Sequence, residues 1–278
     1  MAPRYEIETL AACPLCSGRA LASLPVPRRT VGGRFADDLR LGLTHCRRCR
    51  FEFVSPRPDA TALADFYAAQ DYTAHEPIDG AAAVRRARIQ LDAIEDAIGP
   101  LRGASLLDVG CGGGQLLAAA RDRGAIPCGY DVALHAQAAC RALDIEVVTR
   151  IEDLGRRTFD GAVMSHVLEH VGDVGGVLRH LRERTRWLCI EVPNVESLRA
   201  RLSTSLTRAR LGADERHRAF PIHLSYFSPR TLRRALADAG FEVVRLRTAG
   251  GGTSGAKRAF HRALLGENLL AIARTARG

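Results

Sequence analysis

The segment Leu106-Leu107-Asp108-Val109-Gly110-Cys111-Gly112-Gly113-Gly114 constrains the fold of this chain more than any other. Its apolar residues read as a buried strand, and the glycines lead into a helical pattern from Gln115 to Arg123, so the two meet in a tight strand-to-helix turn. Such a turn lets backbone approach a ligand closely and aims the unpaired amides of a helix N-terminus at a carboxylate or phosphate. The dinucleotide fingerprint wants glycine at its first, third and sixth positions. Counted from Gly110, the sixth position here is Gln115, and the strand ends in an acid, Asp108. An acid in that place suits an amino group better than a pyrophosphate. Twenty-one residues past Gly110, the strand end Gly129-Tyr130-Asp131 supplies a second carboxylate where doubly wound folds set one against ribose hydroxyls. Loop and acids together select a ligand that bears ribose, ammonium and carboxylate.

The alternation continues on both sides of the loop. Strand patterns cover 105–109, 127–130, 145–148, 159–165 and 187–192; helical patterns cover 115–123, 134–143, 174–184 and 229–239, the last stopped by Gly240. Strands at 241–247 and 268–274 close the chain. The Gly250 to Gly255 connection and the basic stretch after it are too short for a crossover unit, which implies an antiparallel pair at the sheet end. The expected fold is α/β: a Rossmann-like, doubly wound, seven-stranded sheet with one antiparallel strand. Composition divides the chain into a cysteine-bearing module (1–58), an alanine-rich helical linker or lid (59–100) and the α/β domain (101–278). In the linker Asp59 can cap a helix toward Tyr67, and Ala81 to Ile98 has helical spacing up to Gly99-Pro100.

Here the chain resembles the class I S-adenosylmethionine (SAM) methyltransferases. Their first motif, acid-x-Gly-x-Gly-x-Gly, is matched at Asp108, Gly110, Gly112 and Gly114. The resemblance implies that Asp108 and the loop, Cys111 included, hold the methionine end of SAM. It further implies that Asp131 binds the ribose, that Ile151 and Glu152 flank the adenine, and that Ser165 and His166 border the cofactor.

After the fourth strand comes Ser165-His166-Val167-Leu168-Glu169-His170-Val171. Read as a helix, it sets His166 and His170 on one face. His-x-x-Glu-His is also the spacing of an inverted zinc-protease signature, but that site needs a third ligand and a cleft unrelated to the glycine loop. Many class I methyltransferases carry a similar Leu-Glu-His-Val here, beside the transferred methyl group. In the ubiquinone-pathway O-methyltransferases an acidic version of the segment is linked to a divalent ion. Ser165 and His166 stand at the corresponding leading positions, which weakens the case for such an ion. A structural role for Glu169 and His170 is equally open. His223 lies just before the helix that follows the fifth strand, a region that doubly wound folds place over the cleft. Methyl transfer to a hydroxyl needs alignment and a proton acceptor near neutral pH, a task suited to histidine; His223 and His170 are the two candidates.

Cys13-Pro14-Leu15-Cys16 and Cys46-Arg47-Arg48-Cys49 form two Cys-x-x-Cys knuckles. Four thiolates make a closed tetrahedral site, and structural Zn2+ is expected, with a β-hairpin filling the interval between knuckles. The module has few apolar residues, so the metal would supply much of its stability. Cys111, Cys128, Cys140 and Cys189 read as free thiols in the core or cofactor loop. The continuation Phe51 to Pro58, with Phe66, Tyr67 and Tyr72, resembles a bacterial group that places a zinc knuckle before the methyltransferase core and acts on sugars, lipids and secondary metabolites.

The chain carries net charge +9, supplied by arginine except for Lys257, with clusters from Arg28 to Arg57 and from Arg199 to Arg218. These read as solvated faces or as an anionic-substrate surface. No apolar stretch approaches the ~20 residues of a spanning helix, and the N-terminus lacks the apolar run of a signal peptide, so a cytoplasmic protein without membrane insertion is expected. The leading function is O-methylation of a small-molecule acceptor. The alternative is an RNA methyltransferase with a zinc module, favoured by basicity but opposed by the scarcity of aromatic residues for base stacking and by Ser165-His166-Val167 where base-methylating enzymes often carry Asn/Asp-Pro-Pro-aromatic. Acceptor identity and oligomeric state are not encoded in any recognisable motif.

Overall fold

The structure, a computed structural model, describes residues 5–26, 35, 38–68, 80–208, 219–249 and 264–276. The expectations attached to Arg28, Arg29, Arg34, Tyr72, 209–218 and 250–255 lie outside these residues. Among the described residues no helix is long and apolar enough to cross a membrane.

Short strands open the chain: β1 (Ile7–Glu8), β2 (Leu21–Leu24), β3 (Leu43–Cys46), β4 (Glu52–Val54) and β5 (Arg57–Pro58). β2 and β3 form the antiparallel hairpin expected between the knuckles. Helix α1 (Ala60–Ala68) begins where the Asp59 carboxylate accepts the Ala62 amide at 2.8 Å. Helix α2 (Gly80–Ile98) buries Ala87, Leu91 and Ile94, positions at helical spacing.

The α/β part then runs β6 (Ser105–Val109), α3 (Gln115–Asp122), β7 (Ile126–Tyr130), α4 (Leu134–Ala142), β8 (Glu146–Val148), β9 (Phe159–Ser165), α5 (Val174–Arg182), β10 (Thr185–Pro193) and α6 (Leu198–Arg208). It closes with β11 (Ser225–Tyr226), α7 (Pro229–Asp238), β12 (Phe241–Ala249) and β13 (Asn268–Thr275). The large sheet has the order β12-β13-β10-β9-β6-β7-β8. All its strands are parallel except β13, which pairs antiparallel with both β10 and β12. This is the expected seven-stranded, doubly wound sheet. Its central strands are buried on both faces, which explains why β9 and β10 read as continuous apolar runs rather than alternations. Helix ends fall one or two residues earlier than the sequence pattern suggests, because Arg123, Glu183 and Ala239 serve as C-caps.

One pairing has no local sequence signal. β11 lies between β10 and α7, yet it joins a separate four-stranded sheet, β11-β4-β3-β2, through Ser225 opposite Phe53 and Tyr226 opposite Glu52. Phe51 stacks near Phe227 at 5.4 Å between ring centroids. Cys13, Cys46 and Cys49 share one buried cluster with Leu107, Val109, Phe227 and Leu232. The cysteine segment and the large sheet therefore have a common core.

Candidate functional site

The glycine loop forms because three of its residues adopt left-handed backbone: Gly110 (φ 75°), Gly112 (φ 51°) and Gly114 (φ 76°), the last capping α3. At Gly110 the reason is also steric, since a Cβ there would overlap the Val167 side chain. The loop thus packs directly on the turn that follows β9. Asp131, just past β7, holds the loop from the other side: its carboxylate accepts the Gly112 amide at 2.9 Å and the Ala133 amide at 2.9 Å. Asp108 is buried at the end of β6. Burial pushes its carboxyl well above the usual carboxylate range, and the nearby Asp131 charge adds to the effect. Two acids converge on the loop, and a cationic ligand group would relieve the cost of their proximity. Cys111 Sγ lies 3.7 Å from Cys140 Sγ on α4, and all eight cysteines are free thiols.

Ile151 begins a single 3-10 turn after β8, packed against the core, and Glu152 beside it is exposed. The Asp131 amide donates to the Val148 carbonyl at 3.1 Å, so the segment leading to Ile151 runs alongside Asp131.

The histidine segment departs from the helix expected of it. His166 takes left-handed backbone (φ 56°), and only Leu168–His170 form a 3-10 turn, so His166 and His170 do not share a helix face. The cause is tertiary. His166 closes back on β10, its amide donating to the Glu191 carbonyl at 2.9 Å and its ring lying 3.2 Å from Glu169 and 3.5 Å from Glu191. Both carboxylates are buried. Gln90 of α2 completes this network, donating to Glu191 at 2.5 Å and to Ser165 Oγ at 2.8 Å, and Asn268 of β13 donates to Glu191 at 3.0 Å. Sequence reasoning missed Gln90, Glu191 and Asn268; Glu191 is a lone acid in the apolar run of β10, a signal visible in retrospect, whereas Gln90 and Asn268 have charged neighbours in sequence and carry none.

Burial opposes a charge on His166, but its bonds to Glu169 and Glu191 outweigh that and raise the imidazole to about 9. Glu169 is pushed up by burial, yet His166, with His170 and His223 facing it, holds it down to about 2. The stabilisation from His166 is fully present below its unfolded value of 6.5 and is lost as pH rises through 9. That from Glu169 is present above 4.5 and lost as pH falls through 2. We predict that His166→Gln lowers the melting temperature most at pH 6 and least above pH 9. Thermal melts across that range check it; a pH-independent difference would show that the ring is not charged.

On the far side of Glu169 the structure does bring His170 and His223 together. Their rings meet edge to face with centroids 4.7 Å apart, and one ring nitrogen of each lies within 4.8 Å of a Glu169 carboxylate oxygen. Burial lowers the affinity of His170 for a proton. Burial, and then the His170 ring, lowers His223 to about 3. Both rings are thus neutral near pH 7. Tyr67 of α1, which the sequence placed only in an aromatic run, reaches His170 Nδ1 at 2.9 Å.

The four knuckle thiols also converge. Cys13 and Cys49 are 3.6 Å apart, Cys16 and Cys46 are 3.6 Å apart, and all four sulfurs lie within 4.8 Å of one another. The edge of a tetrahedron with ~2.3 Å metal–sulfur bonds is about 3.8 Å, so the donor set matches a tetrahedral thiolate site. Each knuckle closes on a left-handed residue four positions after its first cysteine, Ser17 (φ 55°) and Arg50 (φ 66°).

Residues 82–246 match the family model described as a methyltransferase domain. Among curated proteins, the ubiquinone biosynthesis O-methyltransferase of Azorhizobium caulinodans is 34% identical over 164 residues, 53% of this chain and 62% of that protein. The protein of the same name from Alkalilimnicola ehrlichii is 36% identical over 95 residues, 31% of this chain and 38% of that protein. The chain therefore spans less than two thirds of the length of these relatives. Among solved structures, magnesium protoporphyrin IX methyltransferase from Synechocystis PCC 6803 with bound SAH superposes with a TM-score of 0.54 at 18% identity, covering 78% of this chain and all of that one. That likeness concerns the fold. The family model covers more than half of the chain, in the segment that carries the glycine loop and the histidine cluster, and the chain belongs to the methyltransferase-domain family.

Proposed function

We propose that the chain transfers a methyl group from SAM to a hydroxyl of a small-molecule acceptor, with histidine as proton acceptor and a structural zinc ion in the four-cysteine cluster. The observation that carries the reading is the contact between Gly110 and Val167, which sets the cofactor loop against the turn bearing Glu169 and His170. In this reading residues 101–278 form the cofactor domain, 59–100 the linker and lid, and 1–58 the zinc module.

Asp108 and the loop from Gly110 to Gly114, with Cys111, hold the amino-acid end of SAM. The buried acid prefers an ammonium partner, and the N-terminus of α3, at Gln115, faces the loop as a place for a carboxylate. Asp131 takes the ribose hydroxyls, because each of its oxygens keeps a second lone pair beside the one used by Gly112 or Ala133. Ile151 and Glu152 lie beside the adenine, and Ser165 and His166 border the methyl-bearing end. When bound, SAM supplies an electrophilic methyl on a sulfonium. The chain's own part is to orient the acceptor oxygen in line and to receive its proton on the neutral imidazole of His170 or His223. The names of the curated relatives specify O-methylation, which supports a hydroxyl acceptor. No divalent ion is assigned to this centre, although Glu169, His170 and His223 offer three ligand atoms within 4.8 Å of one another.

Calorimetry with SAM and turnover of the two histidine variants test the proposal. His170→Ala and His223→Ala should both bind SAM, and at least one should lose about 10²-fold or more in kcat, the usual contribution of a general base. Absence of SAM binding by the intact protein, or full turnover in both variants, would refute it. Strongly salt-dependent RNA binding would replace the small-molecule acceptor with RNA.

A further inference from the structure

We infer that the Ile222 carbonyl fixes His170 as its Nδ1–H tautomer, that Nε2 of His170, rather than of His223, is therefore the proton acceptor, and that Tyr67, delivered by α1, is a positioning residue whose hydroxyl oxygen supports the charge that develops at Nδ1. This rests on the reading of the histidine cluster as the general-base centre.

The argument begins at the Ile222 carbonyl, 3.0 Å from His170 Nδ1. A carbonyl oxygen only accepts, and a ring lone pair facing it at that distance would be repelled, so Nδ1 carries the hydrogen and donates to it. The Tyr67 hydroxyl oxygen lies 2.9 Å from the same Nδ1 and 3.5 Å from the same carbonyl. These atoms close a triangle in which one N–H faces two oxygens, while the phenol proton turns to the Ile222 carbonyl. A neutral imidazole with its hydrogen on Nδ1 has its lone pair on Nε2. When Nε2 takes a proton from an acceptor hydroxyl, the charge that develops on the ring is met by both oxygens at Nδ1 and by the buried Glu169 carboxylate close by. His223 meets the edge of the His170 ring and, farther off, the ring of Tyr226, with the Glu169 carboxylate within 4.8 Å, and no backbone carbonyl is bonded to its ring among the described residues.

Tyr67 is held in place by its neighbour. Phe66 is fully buried against Phe35, Leu43 and Phe220, so α1 is anchored to both the N-terminal sheet and the segment before His223. The tyrosine therefore reports to the reactive histidine whether the helix is docked. That gives the linker helix a chemical task beyond covering the site.

The experiment uses the intact protein with 15N-labelled histidine. Two-bond 1H–15N spectra should show His170 as the Nδ1–H tautomer in the wild type and in His223→Ala. Tyr67→Phe should keep the Nδ1–H form, held by the Ile222 carbonyl, and lose about tenfold in kcat while SAM affinity and the KM for SAM stay unchanged, since only the charge that develops in the proton-transfer step loses a partner. A His170 signal of the Nε2–H form, or wild-type kcat in Tyr67→Phe, overturns the proposal. The spectrum of the wild type decides the tautomer even if the variant folds poorly. It needs no turnover, so a failure to find methyl transfer would remove the general-base reading while the spectrum still decides the tautomer.

Discussion

Gly110→Ala is expected to abolish measurable SAM binding and to lower the melting temperature by several degrees. Two costs combine at this one position. The backbone at φ 75° is left-handed, which costs an L-residue about 1–2 kcal/mol. The new methyl must also displace Val167, and overpacking of that kind costs roughly 1–3 kcal/mol. For a domain of this size each kcal/mol corresponds to about 2–4 °C. The second cost falls on the cofactor, because relief of the clash moves either the loop that would cradle SAM or the turn that carries Glu169 and His170. Gly103→Ala is the matched control. It has the same positive φ of 76° but open space where the methyl would stand, so it isolates the backbone term and should leave SAM affinity intact. Calorimetry and thermal melts of the two variants decide the matter. Wild-type SAM affinity in Gly110→Ala would show that this loop is not the cofactor site.

The second large effect is expected from the cysteine cluster. Purified protein should contain about one zinc per chain, and Cys46→Ser should lose it. Metal binding in such thiolate sites contributes on the order of 10 kcal/mol to folding, so the N-terminal sheet should come apart. The consequence should reach the histidine cluster through the backbone. The Val54 amide donates to the Leu224 carbonyl at 2.9 Å, and the Leu224 amide donates to the Glu169 carbonyl at 2.7 Å. Leu224 is thus pinned between β4 and the turn that bears Glu169 and His170, with His223 beside it. Turnover should fall by more than tenfold, and SAM affinity should fall less, since the glycine loop and β7 keep their own contacts even though the cysteine cluster packs on Leu107 and Val109 of β6. Metal analysis, melting curves, calorimetry and kinetics on the variant test each link. A metal-free protein with wild-type stability and turnover would refute the zinc assignment.

Much of the architecture was legible before any coordinates. Apart from α6 and β11, for which the sequence reading had no counterpart, the periodicity of 105–249 matched the observed strands and helices to within a residue or two at most ends, because each element buries a face whose spacing repeats in the sequence. The reversed strand followed from the shortness of the last connection. The cysteine pairs announced their convergence because a Cys-x-x-Cys knuckle is a local object. The histidine turn was misread for the opposite reason. Its spacing is helical, but the backbone at His166 is decided by Glu191 on a neighbouring strand and Glu169 across the turn, neither of which a local pattern can weigh.

The sequence by itself determined the doubly wound sheet, the glycine loop with Asp108 and Asp131, and the two cysteine knuckles, since all of these depend on residue type at short, regular spacing. Only the tertiary structure decided that β11 crosses to the N-terminal sheet, that Glu169 faces His170 and His223, and that Tyr67 and Ile222 both meet Nδ1 of His170. Those arrangements bring together residues far apart in the chain. Their partners are chosen by buried polar groups that must find hydrogen bonds wherever packing leaves them, a requirement that carries no periodic trace in the sequence.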